Sequence, residues 1–181
     1  MTPLGVIQFW RDEVQPARWF ADDPALDADI RKRFAPLWQT ARAGGLADWE
    51  ATPEGALALV IVLDQFPRNM FRDHADAFAS DADARAAARR AIDHGFDRRV
   101  PTVLRPFFYL PFMHSEDIAD QDQSVALIGE RVGEDSVNYP FSLTHREIIA
   151  KFGRFPTRNA ALGRVSTPEE LAFLNRSLKR H

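Results

Sequence analysis

Cysteine is absent from this 181-residue chain. Disulfides, thiol nucleophiles and every zinc or iron–sulfur site built on thiolates are thereby excluded. Lysine is scarce, standing only at positions 32, 151 and 179, so nearly all cationic charge is arginine. A basic excess is lacking too. Lys+Arg 23 against Asp+Glu 26 leaves a formal net charge of −3, the wrong sign for a generic nucleic-acid binder. No apolar window approaches the ~18 residues of a membrane span. The opening MTPLGVIQFWRDEVQ has neither the basic n-region nor the apolar length of a signal peptide. The expected location is the cytoplasm, with no membrane partner.

The familiar chemical motifs are missing as well. There is no G-x-G-x-x-G, no G-x-x-x-x-G-K-[ST], no G-x-S-x-G and no H-E-x-x-H. Neither a cofactor nor a metal is expected. Strand ladders, Gly-Ser linkers and low-complexity tracts are absent, and no repeat of 30–45 residues appears.

What is present is helical spacing along almost the whole chain. Leu26, Ile30, Phe34, Leu37 and Ala41 step by three and four beside Trp38, behind Asp23 as N-cap and Pro24 at N1. Thr52-Pro53-Glu54 opens a helix that is apolar on nearly every face from Leu57 to Phe66, which predicts a buried, central position. Ser80 is placed to cap a helix that Gly95 stops. Pro101 begins an aromatic segment that Pro111 is expected to end, and Ser115 is the expected cap of the next helix. A further helix spans 138–152, with Phe141, His145, Ile148, Ile149 and Phe152 on one face. Thr167-Pro168-Glu169-Glu170 is a capping box for the last helix. The reading is all-α, about seven helices in antiparallel hairpins, one domain over 1–181.

Two stretches end helical runs in the same way: LDQFPRNMFR at 63–72 and FGRFPTRNAALGR at 152–164. In each, phenylalanine anchors, proline breaks and asparagine suits a left-handed exit. Arg68 and Asn69 in the first copy answer to Arg158 and Asn159 in the second, with Asp64, Gln65 and Arg154 in support. Guanidinium forks suit planar carboxylates or phosphates. The bland reading pairs Arg68 and Arg158 with Asp64, Glu147 or Asp117 and turns the asparagines to free carbonyls. His114 stands before Glu116, Asp117, Asp120 and Asp122, an acidic run that ordinary capping explains. His145 lies on the apolar face of its helix, where it serves as a base only if a polar cavity reaches it.

DQFPRNMFR, FFYLPFMHSEDIADQDQSV and HREIIAKFGRFPTRNAALGRVSTPEELAFL resemble, together and over nearly the whole chain, the mainly bacterial family named domain of unknown function 924. The resemblance implies a tetratricopeptide-like fold of helical hairpins and no established activity. Its recurring positions correspond here to Asp64 through Asn69, His114 through Asp117, His145, Arg146, Phe155, Pro156, Arg158 and Asn159. Relatives often carry histidine where this chain has Thr157. The NRSLKRH ending departs from the family and carries no site. Three readings follow: a binding protein whose Arg/Asn-rich site takes an anionic peptide or small ligand, an enzyme acting on a small anionic substrate in a His/Arg/Asn pocket, or a purely structural lock.

Overall fold

The computed structural model describes residues 1–178; the end of NRSLKRH, from Lys179 on, lies outside them. The regular elements are all helical, with no strand among the described residues. None of the described helices is long and apolar enough to cross a membrane. The chain parts into two compact units. The first joins Met1–Arg72 to Asp76–Pro111, and the second joins Asp73–Ala75 to the chain from Phe112 onward.

In the first unit, α1 (Pro3–Gln8) runs into a π-helical segment, Phe9–Val14. Next comes α2 (Pro24–Arg42), whose first-turn N–H groups of Ala25 and Leu26 donate to the Asp23 carboxylate. Its inner line is Leu26, Ile30, Phe34, Trp38 and Ala41; the larger indole takes the place expected for Leu37, which is half-buried. α3 (Pro53–Val60) starts where Thr52 Oγ1 accepts from Gly55 N–H, and it is buried from Gly55 to Val60, as a helix apolar on all faces must be. Phe66 is the hub of an aromatic cluster, with ring centroids 4.5 Å from Phe34, 5.6 Å from Trp10 and 6.0 Å from Phe9. Three of the four tryptophans, Trp10, Trp38 and Trp49, are core residues.

The expected stop at Pro67 does not occur. The helix passes through a π-helical turn, Ile61–Gln65, into α4 (Phe66–Met70), with Pro67 in its first turn. Proline deprives the carbonyl four residues back of its donor, and here that carbonyl, of Leu63, accepts from Ser80 Oγ at 2.6 Å instead. Ser80 Oγ in turn accepts from Trp38 Nε1 at 2.9 Å. Ser80 therefore does not cap α5 (Asp81–Asp93) with its side chain; its hydroxyl is spent on the break at Pro67. Asn69 lies inside α4 and Asn159 has right-handed helical angles, so neither takes the left-handed exit expected of it.

Pro111 also starts a turn, since it is the second residue of α6 (Leu110–Met113), which follows a 3-10 turn at Arg105–Phe108. In the second unit, α7 (Ile118–Arg131) is capped by Asp117, whose Oδ1 accepts from Ala119 N–H. Ser115 serves one step earlier, accepting from Asp117 N–H. α7 and α8 (Asn138–Phe152) pack as a hairpin across the short connection 132–137. Of the expected apolar face of α8, Ile149 is buried and Phe141 is exposed. Gly153, with φ 67°, ends α8 in the left-handed conformation that a Cβ would strain. The capping box then opens α9 (Pro168–Leu178).

Candidate functional site

The first Phe-Pro stretch sits in the first unit and its charges are engaged. Arg68 Nη2 donates to Asp64 Oδ1 at 3.1 Å and to Asp81 Oδ1 at 2.9 Å. Asp64 has no exposed side-chain surface; its Oδ2 accepts from Gln65 Nε2 at 2.6 Å. Burial opposes the charge on Arg68, but the fields of Asp64 and Asp81 outweigh it and hold the guanidinium above its ordinary pKa. Asn69 Nδ2 donates to Asp27 Oδ1 at 2.8 Å, and Arg72 binds the same carboxylate through Nε and Nη2. The Asp64 partner follows from helical spacing, since four residues separate it from Arg68. Asp27 and Asp81 are tertiary partners.

The second stretch is organised around Phe155 and Glu116. Gly153 ends α8, and Phe155 adopts the extended backbone favoured before proline, burying its ring while Pro156 begins a 3-10 turn ending at Arg158. Arg164 grips Glu116 through both terminal nitrogens, at 2.7 and 3.0 Å, and Phe155 N–H donates to the same carboxylate at 2.8 Å. Burial pushes the Glu116 carboxyl up. The hydrogen bonds from Arg164 and Phe155, with the fields of Arg164 and Arg158, push it further down, so it lies below its ordinary value. Arg154 makes a parallel pair with Glu170 at 2.7 and 2.9 Å. Asn159, 1% exposed, ties the two pairs together: its Oδ1 accepts from Arg164 Nε, and its Nδ2 donates to Ser166 Oγ and Glu170 Oε2.

Arg158 has a different setting. Its guanidinium stands over the Phe155 ring, 4.5 Å from the centroid, and Nη2 donates to the His114 carbonyl at 2.8 Å. His145 approaches the same ring edge-on, at 5.4 Å and 68°. Its Nδ1 lies 2.8 Å from the Phe141 carbonyl, a contact that requires the proton on Nδ1. Of the six candidate residues, the second unit therefore gathers His114, His145, Arg158 and Asn159 about Phe155. Asn159 is framework, and His114 enters through its backbone. Arg158 also adds to the field on the Glu116 carboxylate. The acids of the 116–122 run also have structural work: Glu116 holds Arg164, Asp117 caps α7, and Asp122 accepts from Arg146. No group of three metal-ligating side chains is assembled among the described residues.

Glu170 and Arg164 are the residues whose importance sequence reasoning underrated. The capping box identifies Glu170 only as a helix start. Its carboxylate also takes Arg154 from 16 residues back, a contact without a local signal. Hydrogen bonds from Arg154 and from Thr167 N–H, then the Arg154 field and Asn159, lower the Glu170 pKa from 4.5 to about 2. A depressed carboxylate pKa adds stability above the unfolded value, and that stability is lost as pH falls through the folded one. The window here is from 4.5 down to about 2. The melting-temperature gap between wild type and Glu170→Gln is expected to be full at neutral pH and to shrink steadily across that window. Thermal melts at a series of pH values check this; a gap independent of pH would contradict it.

Comparison with known proteins agrees with the resemblance. The profile of the family described as Bacterial protein of unknown function (DUF924) matches residues 6–177. A solved structure of a protein of unknown function from Agrobacterium tumefaciens is similar at 40% sequence identity, with a TM-score of 0.91, covering 96% of this chain and 97% of that one. No curated protein matches.

Proposed function

We propose that this chain, which belongs to the bacterial family DUF924, is a soluble, cytoplasmic, tetratricopeptide-like binding protein that takes a carboxylate- or phosphate-bearing small ligand or peptide beside Arg158. The observation that carries this reading is the setting of Arg158, a partly exposed guanidinium held against an aromatic ring where arginines converge. Three guanidiniums, of Arg154, Arg158 and Arg164, are gathered with two carboxylates, of Glu116 and Glu170. Two of the arginines make bidentate pairs with those carboxylates. Arg158, partly exposed, stands over the Phe155 ring, 4.5 Å from its centroid, with His145 edge-on to the same ring at 5.4 Å, and it adds to the field on Glu116. A guanidinium held against an aromatic ring is pre-organised for a planar anion, because less rotamer freedom remains to be lost.

Succinate and inorganic phosphate are suitable probes. A ligand at ten times its Kd stabilises the bound fold by about 1.4 kcal/mol, which corresponds to roughly 3–6 °C in melting temperature for a chain of this size. That shift is expected for wild type and not for Arg158→Gln. Equal shifts in both proteins, or none in wild type at tens of millimolar, would overturn the reading.

A further inference from the structure

The first unit contains a cavity of about 190 Å³ to which the arginines and asparagines of the Phe-Pro stretches do not contribute. Its floor is apolar, formed by Leu59, Leu63 and Ala87, all buried. Its rim carries four charges: Arg42 at the end of α2, Glu50 in the 3-10 turn Ala47–Ala51, and Asp83 and Arg90 on α5. Glu50 and Arg90 neutralise each other through two hydrogen bonds of 2.5 and 2.8 Å. Arg42 lies over the Trp38 ring, 4.8 Å from its centroid. The side chains of Arg42 and Asp83 make no hydrogen bond or ion pair with any described residue.

We propose that this cavity binds a small zwitterion with an apolar body, the class to which free aliphatic amino acids belong. The carboxylate is placed at Arg42, the ammonium at Asp83 and the hydrocarbon on Leu59 and Leu63. Helix-end electrostatics explain the sign of each charge separately, a cation in the last turn of α2 and an anion in the first turn of α5. They do not explain why both charges line one apolar-floored cavity, where the Glu50–Arg90 pair is already neutral. The net charge of the four rim groups is zero, which disfavours a pure anion or cation and suits a ligand carrying both signs. The volume corresponds to about six waters, below the ~300 Å³ at which drug-sized pockets begin.

Isothermal titration with L-leucine, isocaproate and isoamylamine tests the proposal. The last two each keep one charge and the same hydrocarbon. Leucine is expected to bind at least tenfold more tightly than either. Arg42→Gln and Asp83→Asn, both at exposed positions, are each expected to weaken leucine binding at least tenfold. Arg158→Gln is expected to leave leucine binding unchanged, which separates this site from the anion site proposed above. Absence of saturable leucine binding, equal binding of leucine and isocaproate, or binding unaffected by both rim substitutions would overturn it.

Discussion

Gly55→Ala is expected to destabilise the protein by about 3 kcal/mol or more, the upper end of what overpacking costs. In an ordinary helix the same change gains up to ~1 kcal/mol, because alanine is the better helix former. The sign reverses here because a Cβ at Gly55 would lie 2.0 Å from the Trp49 carbonyl oxygen and 2.9 Å from Thr52 Oγ1. The carbonyl is backbone and cannot rotate away. Relief requires moving the 3-10 turn Ala47–Ala51, which carries the buried Trp49, or moving the start of the central helix. A melting temperature lower by roughly 6–12 °C follows from that cost in a chain of this size. Thermal and urea denaturation measure it; a variant as stable as wild type would show that the turn yields freely.

Arg68→Met is the second large effect. The substitution keeps the aliphatic stem and removes the charge from between Asp64 and Asp81, whose side chains are 0% and 11% exposed. Removing one partner of a buried ion pair costs ~3–5 kcal/mol, because the remaining charge is left without its compensation. A loss of about 3 kcal/mol is expected in urea denaturation, with a positive coupling to Asp64→Asn in a double-mutant cycle. Stability within ~0.5 kcal/mol of wild type, the usual range for an idle surface group, would mean that these pairs hold nothing together. The guanidinium would then be open to an outside anion.

These expectations mark where the sequence was legible. Helix starts at Asp23, Thr52 and Thr167 were readable because a cap and its N–H groups lie within three residues of each other. Helix stops written by proline were misread at Pro67 and Pro111. A proline break is tolerated when something distant satisfies the orphaned carbonyl, and Ser80, 17 residues from Leu63, has no signature in the local pattern. The same limit applied at the candidate site. The Asp64–Arg68 pair follows from helical spacing, whereas Asp81, Glu116 and Glu170 reach their arginines across 13, 48 and 16 residues. The asparagines were read as turn formers from their residue type, but both spend their amides on carboxylates.

The repeated Phe-Pro and Arg-Asn pattern thus has two outcomes on one theme. In both copies a buried phenylalanine stands directly before a proline in the first turn of a short helical segment that also carries the arginine. Arg68 is consumed by two aspartates of its own unit. Arg158 stands over Phe155, partly exposed, and donates to the His114 carbonyl. Isothermal titration of succinate at low ionic strength into wild type and Arg158→Gln tests this difference most directly. Saturable 1:1 binding to wild type in the millimolar range, weakened at least tenfold in Arg158→Gln, is the predicted result. Equal binding to both proteins, or none to wild type, would contradict the assignment of Arg158 as the anion-recognising residue.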